Sequence, residues 1–351
     1  MKKIGLIGYL GYATATPIIG GQMTKTRNII KQLEQEYPGQ IIRVDTSNWK
    51  NEALSLVKQC FSVANQCDVV IIMPNKNGIK FVLPFFASFK KLKHYKIAYP
   101  IVGGWLTDLL RKNSILARAL KKVDYLLPET EQLKSKLKGF TDKPIDVMPV
   151  FSTRTPLQLS DLKLSAAEPF SFCTFSRVTP TKGIDDAMEA IAEVNKEHGR
   201  NVCILDVWGP IENGYEIHYA ELFHRHKEYV NYKGILSSDD GLAKLAEYYM
   251  MLFPTYYPGE GFPATVCESF MAGLPVIASN WRFNGELVEN GNTGFLVPVH
   301  NVGAFAKCID YTIGHTEEIC RMKSSCLKQS EKFKPAEVMR NLDLWIKKEH
   351  T

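Results

Sequence analysis

The stretch that most constrains this chain is residues 250–280, MMLFPTYYPGEGFPATVCESFMAGLPVIASN. Its first four residues form a short apolar run that reads as a buried strand. Pro254, Pro258, Gly259, Gly261 and Pro263 then break the chain into a loop. The apolar pattern over 264–272 predicts a helix, with Gly273 where a helix C-terminus favours a left-handed residue. Residues 274–278 read as a second buried strand. In a strand–loop–helix–strand unit of this kind the loop lies at the carboxyl end of a strand and at a helix N-terminus. An α/β fold binds ligands there, and the unpaired backbone N–H groups attract phosphate.

Two carboxylates stand on this unit, Glu260 in the loop and Glu268 about one turn into the helix, with seven residues between them. A bound phosphate repels carboxylates, so the partners that suit these two are hydroxyl groups, which donate hydrogen bonds. The plain alternative is a loop Glu and a helix Glu in solvent. A second loop adds cations. Residues 170–175 read as a strand and 184–196 as a helix, and between them Arg177 and Lys182 lie five apart. Both can reach one anion, Arg as a planar fork and Lys as a point charge. A ligand with phosphates in the middle and hydroxylated rings at both ends, such as a nucleotide sugar, suits the whole set.

The residues Pro254, Glu260-Gly261-Phe262, Glu268, Met271, Gly273 and Pro275-Val276-Ile277-Ala278-Ser279 resemble the retaining GT-B glycosyltransferases of family 4, which carry an E-x7-E spacing. The likeness continues through Glu286 and Asn290-Gly291-Asn292-Thr293-Gly294-Phe295-Leu296-Val297-Pro298, and Arg177 with Lys182-Gly183 is similar to the family's R-x4-K-G motif. It covers the C-terminal half well and the N-terminal half weakly. The resemblance implies a GT-B fold, with two Rossmann-like doubly wound α/β domains facing across a cleft. It implies a hexosyltransferase-type enzyme of the bacterial surface-polysaccharide kind. Such an enzyme moves a sugar from a nucleotide-diphosphate donor, expected to be UDP-linked, to a hydroxyl of a saccharide acceptor; the basic apolar segment at 79–96 suits a lipid-linked one, in capsule, exopolysaccharide or glycoconjugate biosynthesis.

Glu260, Arg177 and Lys182 are the implied catalytic residues. Gly20, Gly21, Gly209, Gly234, Ile235, Gly261, Phe262, Pro263, Thr265 and Glu268 join them as implied donor-binding residues. Arg177, Lys182 and helix N-terminal N–H groups near Thr265 are expected to take the charge of the departing diphosphate. Glu260 is expected to hold sugar hydroxyls and Glu268 the ribose. The leaving phosphate itself takes the acceptor proton in the route the resemblance implies. Elsewhere a metal on a DxD motif serves the diphosphate. No DxD occurs here, and neither a metal nor any other cofactor is expected.

Alternation of strands and helices recurs through the first half, at 4–10, 41–45, 69–73, 97–102 and 123–128, and predicts a doubly wound parallel sheet that 147–150 would close. The first loop, 11–21, ends in Gly20-Gly21 before a helix; it is not GxGxxG, so a dinucleotide fingerprint is absent. Many family members carry a His after the strand that here ends in Gly103-Gly104-Trp105, and the only His of the first half is His94. Trp105 stacks on a sugar or joins the core, and the burial usual for large aromatics favours the core. Residues 152–169 read as an interdomain linker. The expected domains are 1–160 for the acceptor, 161–330 for the nucleotide sugar, and 331–351 as a C-terminal amphipathic helix crossing back to the first.

Charge is uneven. Residues 76–143 hold 15 Lys/Arg against 5 Asp/Glu, a net of +10, while the whole chain carries +6. Within them, apolar residues 79–89 lead into Lys90, Lys91 and Lys93. That segment reads either as a helix lying on an anionic membrane or as a core helix with a solvated basic end. Lys90, Lys91, Lys93 and Trp105 are accordingly the candidate acceptor or membrane contacts. Eight scattered cysteines without a CxxC pair imply reduced thiols in the cytosol, and no apolar run approaches a membrane span. The expected place is cytoplasmic, peripheral on the inner face of the plasma membrane, and no nucleic-acid partner is expected. Two other readings stay open: a nucleotide-sugar epimerase of the same fold, and a non-catalytic partner subunit of another glycosyltransferase.

Overall fold

The computed structural model describes residues 3–12, 20–49, 51–236 and 241–348. The chain divides into two compact units, Met1–Thr153 with Lys334–Thr351, and Arg154–Phe333.

Unit 1 opens with β1 (Ile4–Gly8), α1 (Gly21–Glu36), β2 (Ile41–Asp45), α2 (Ala53–Gln66), β3 (Val69–Met73) and α3 (Ile79–Phe89). β4 (Lys96–Pro100), α4 (Leu106–Lys112), α5 (Ser114–Leu120), β5 (Tyr125–Leu127) and α6 (Glu131–Leu137) follow. The strands form one parallel sheet in the order β2-β1-β3-β4-β5. β1 and β3 are buried along their whole length, as a sheet covered on both faces requires. The order reverses between β1 and β3, so the crevice of this unit opens outside their carboxyl ends. The expected closing strand at 147–150 does not form. The chain instead runs beside β5, where Leu126 and Ile145 make a single parallel bridge and Met148 N–H donates to Pro128 O. Pro128 has no N–H to donate to Asp146 O, so the next bridge of the ladder is missing.

α3 turns its Ile79, Val82, Leu83, Phe86 and Ala87 into the core. Its other side keeps Phe81 exposed and half-buries Phe85 and Phe89, whose rings meet Phe61 of α2 with centroids 5.0 and 4.8 Å apart. The helix is therefore core-packed on one face, and its basic sequel lies past its end.

Unit 2 contains β6 (Phe170–Phe175), α7 (Ile184–His198), β7 (Cys203–Trp208), α8 (Glu216–His226), β8 (Val230–Gly234) and α9 (Gly241–Ala246). It continues through β9 (Met250–Phe253), α10 (Ala264–Met271), β10 (Val276–Ser279), β11 (Gly294–Val297), α11 (Val302–Gly314) and α12 (Thr316–Ser330). Its six strands are all parallel, in the order β11-β10-β9-β6-β7-β8. From β6 the chain winds outward through β7 and β8, then returns to the other side of β6 as β9. That reversal places a crevice outside the carboxyl ends of β6 and β9. Residues 154–169, expected as a free linker, are partly built into this unit: Leu157 N–H donates to Met271 O, and Leu162 is buried over Gly273.

α13 (Pro335–Lys348) returns to unit 1 and lays Val338, Met339, Leu342 and Ile346 on a core that includes Ile29, Ile30 and Leu33 of α1. Each such burial is worth about 1.5–3 kcal/mol. Tyr37 donates to Asp343 at 2.9 Å, Lys347 pairs with Glu36 at 2.6 Å, and Trp345 stacks on Tyr125 with ring centroids 5.4 Å apart. No helix among the described residues is long and apolar enough to cross a membrane. All eight cysteines are free thiols; burial pushes Cys60 and Cys203 up to about 12.

Candidate functional site

The two loops at the unit 2 reversal carry the cations and the first carboxylate. After β6 the chain passes Arg177, makes a single turn at Pro180–Lys182, and enters α7 through Gly183 at φ +69°. A side chain at Gly183 would bring its Cβ to 2.3 Å from Pro254 O. Only glycine gives both that backbone angle and that closeness, so the turn holding Lys182 lies directly on the loop that follows β9. Tyr256 N–H donates to Thr181 O at 2.9 Å and stitches the two loops together. The β9 loop is tied on its other side as well: Trp281 Nε1 donates to Tyr257 O at 2.8 Å, and Ser279 Oγ donates to Thr255 O.

This stitching brings Lys182 Nζ to 2.6 Å from Glu260 Oε2, with side chains 11% and 10% exposed. Thr255, fully buried, donates to the same carboxylate oxygen at 2.9 Å. Lys182 Nζ also lies 5.5 Å from the Phe253 ring centre and 5.4 Å from that of Tyr257. Arg177 is exposed, its guanidinium carbon 6.0 Å from the Tyr257 ring centre. Both cations are within the range over which a ring face attracts them. A fixed cation, a carboxylate held by two donors and a second, exposed cation therefore share one place.

α10 begins beside this pair. Pro263 is its N-cap with no side-chain cap. The N–H groups of Ala264 and Thr265 have no acceptor among the described residues, as the first turn of a helix dictates. Phe262 turns its ring onto Phe333, centroids 5.4 Å apart, so its side chain serves packing. Glu268 lies one turn further on. Burial raises its pKa and Arg154, 3.4 Å away, draws it back down; the net direction is up.

Gly209 follows β7 at φ +136°, where a Cβ would stand 1.8 Å from Ser176 O; its N–H donates to Gly234 O at 2.7 Å. Gly209 thus has a packing reason to be glycine, since it lets β7 and the Arg177 loop touch. Gly234 ends β8 at φ +75° with open space around it, and Ile235 is 72% exposed.

In unit 1 most of the 11–21 loop lies outside the described residues. Gly20 and Gly21 are described: Gly20 caps α1, and among the described residues, chain neighbours apart, no atom comes within 4 Å of a Cβ built on either. Trp105 is half-buried at the start of α4, a correction to its expected place in the core. Where a family His is usual, Gly103 N–H donates to Glu129 at 2.9 Å. Glu129 in turn meets the fully buried Lys25 at 3.3 Å, and Lys25 donates to Met148 O at 2.7 Å.

Lys90 is corrected as a surface contact. It donates to both oxygens of Asp124 at 2.5 Å and to Lys122 O at 2.8 Å. Lys91 and Lys93 are exposed, and Leu92 between them is 73% exposed. These lysines precede β4, at the amino end of a strand whose carboxyl end leads to Gly103 and Trp105, so the four candidate acceptor contacts do not form one group.

Sequence reasoning missed Thr255, Tyr257 and Arg154, and named Gly183 only as part of a motif, without the loop contact it permits. Thr255 had one signal, a hydroxyl two residues after a wholly apolar strand, behind Pro254. Arg154 had none, because it sits in the stretch read as linker. No group of three or more His, Cys, Asp and Glu placed to hold a metal ion occurs among the described residues.

Residues 162–325, less than half of the chain, match the family described as Glycosyl transferases group 1. The chain is 27% identical over 184 residues to the UDP-N-acetylglucosamine–peptide N-acetylglucosaminyltransferase GtfA subunit of Streptococcus pneumoniae serotype 4; the match covers 50% of this chain and 34% of that one. This chain therefore matches about a third of that relative's length. Among solved structures it is similar to Anabaena Alr3699/HepE in complex with UDP, with TM-score 0.75 and 17% identity over 99% of this chain and 100% of that one. It is also similar to sucrose-phosphate synthase from Thermosynechococcus elongatus, with TM-score 0.76 and 15% identity over 99% of each. The fold is GT-B, and the domain match together with these neighbours supports a GT-B glycosyltransferase.

Proposed function

We propose that this chain transfers a sugar, with retained anomeric configuration, from a UDP-linked donor to a hydroxyl of a saccharide acceptor. The observation that carries this reading is the Lys182–Glu260 contact at the unit 2 reversal. A cation suited to a diphosphate stands there beside a carboxylate suited to hydroxyls. The Anabaena protein of the same fold was solved with UDP, and the streptococcal relative takes UDP-N-acetylglucosamine by name, which supports UDP as the nucleotide.

In this reading the bond between the anomeric carbon and the diphosphate oxygen breaks while the acceptor oxygen bonds to the same face of that carbon. Arg177, Lys182 and the α10 N–H groups around Thr265 stabilise the negative charge of the leaving group. One of its phosphate oxygens takes the acceptor proton. Glu260, with backbone groups of Gly261, Phe262 and Pro263, holds hydroxyls of the moving sugar. Glu268 leaves Arg154 for the ribose, and Gly209, Gly234 and Ile235 border the base. No metal is required, because side-chain cations and amides carry the diphosphate charge.

Incubation with a panel of UDP-sugars tests this. Slow UDP release without acceptor, faster release with a saccharide acceptor, a product anomer matching the donor's by NMR, and no effect of EDTA are expected. Inversion at the anomeric carbon, or activity abolished by EDTA, contradicts the mechanism. Glu268→Ala is expected to weaken UDP binding about 10–100-fold, the scale of hydrogen bonds to a charged group. An unchanged Kd for UDP reduces Glu268 to a structural partner of Arg154.

The acceptor is proposed to be lipid-linked, within surface-polysaccharide or glycoconjugate assembly, and the chain to touch an anionic membrane through Lys91, Leu92 and Lys93. A lysine near such a surface is worth about 1 kcal/mol. Lys91→Glu/Lys93→Glu should therefore weaken sedimentation with phosphatidylglycerol vesicles at least about tenfold. Equal sedimentation of the two proteins removes the contact.

A further inference from the structure

Unit 1 holds a second concentration of charge that the proposed transfer does not use. An open recess of about 280 Å³ is lined by Ala87, Lys90, Lys91, Lys121, Lys122 and Lys143. Three separate segments supply these residues: the end of α3 with the turn after it, the α5–β5 connection, and the turn before the bridge at Ile145. All three lie at the amino ends of β4 and β5. Ligands of reactions on parallel sheets lie at the carboxyl ends, so this recess is not the acceptor site.

Five lysines here face one carboxylate, and that carboxylate is already spent. Both Asp124 oxygens accept from Lys90, and one also accepts from Ile97 N–H at 2.8 Å. Lys91, Lys121, Lys122 and Lys143 form no ion pair among the described residues. The crowding is felt within the cluster: burial lowers the Lys90 pKa, Asp124 opposes it, and Lys143 and Lys96 lower it further. Lysines that serve only solubility spread over convex surface with acids between them. These converge on a concavity without any. A water takes up about 30 Å³ in the liquid, so the recess has room for a diphosphate-sized anion and part of its hydration.

We propose that this recess binds a phosphate anion of two or more charges, either free in solution or as the phosphomonoester headgroup of a lipid. The anion would relieve the mutual repulsion of the lysines and accept charge-assisted hydrogen bonds from the unpaired ammonium groups. The proposal stands apart from the sugar-transfer reading, whose phosphate-binding side chains belong to unit 2, and shares only Lys91 with the proposed membrane contact.

Pyrophosphate, titrated calorimetrically, is the probe, and Lys182→Ala supplies a background in which the donor-phosphate site is weakened. One saturable pyrophosphate site is expected in that background, weakened on the order of 10²-fold by adding Lys121→Glu/Lys122→Glu/Lys143→Glu. The same three positions changed to Gln, which cannot repel the anion, should weaken it about tenfold and guard against misfolding. Vesicles of phosphatidylcholine with phosphatidic acid identify the source. If they compete with pyrophosphate and lose binding in the triple variants, the anion is a headgroup; if pyrophosphate binding is indifferent to them, it is soluble. Absence of saturable pyrophosphate binding in the Lys182→Ala protein, or binding that both triple variants keep, overturns the proposal. Failure of the donor reading has a different signature, equal UDP affinity in the wild type and Lys182→Ala.

Discussion

Lys182→Ala is expected to lower kcat by about 10²–10³, the scale of losing one group aimed at developing charge. The effect should fall mainly on turnover, because the diphosphate gains charge as its bond to the sugar breaks and Lys182 interacts more strongly with it then than in the ground state. The substitution also has a structural cost. It leaves Glu260, 8% exposed, with Thr255 as the one hydrogen-bond donor to its side chain among the described residues. Breaking a buried pair by removing one partner costs about 3–5 kcal/mol. Turnover therefore has to be compared where circular dichroism shows both proteins folded. Arg177→Ala guards the interpretation: Arg177 is exposed and forms no ion pair among the described residues, so its loss should slow turnover without lowering the thermal midpoint. Near-normal kcat in a folded Lys182→Ala protein would mean that the diphosphate lies elsewhere.

Glu260→Ala should split catalysis from nucleotide binding. It removes the group proposed to hold sugar hydroxyls, so kcat/KM for the UDP-sugar is expected to fall about 10²-fold. It also removes the carboxylate that now occupies Lys182 at 2.6 Å. A lysine without that partner is free to meet the diphosphate, so the affinity for UDP alone should hold or rise. Parallel losses in UDP affinity and turnover would make Glu260 a structural brace of the site and not a sugar contact.

The parts of this site that follow from local pattern were legible in the sequence, and those that depend on distant packing were not. Strand β9, the broken loop, helix α10 and strand β10 follow from apolar runs and from the placement of Gly and Pro, and each forms within a few residues of its expected span. That Lys182 would lie against Glu260 needed the reversal between β6 and β9, a fact about strand order that no stretch of sequence states. Thr255 and Tyr257 acquire their roles only once the β9 loop is laid on the β6 loop. Lys90 read as one of a run of surface lysines; its partner Asp124 lies 34 residues away and becomes its neighbour through the pairing of β4 with β5. Gly209 is the opposite case. It was read for a ligand, and the structure gives it a packing reason of its own, the contact with Ser176 O. The strand expected at 147–150 failed because apolarity alone does not supply the N–H groups that a ladder consumes.

The most direct measurement is a crystal structure of the chain with UDP. The account predicts diphosphate oxygens within about 3 Å of Lys182 Nζ, Arg177 turned onto the same group, and the Glu268 carboxylate on the ribose. A diphosphate bound away from Lys182, with Glu260 still closed on that lysine and Glu268 still on Arg154, would contradict it.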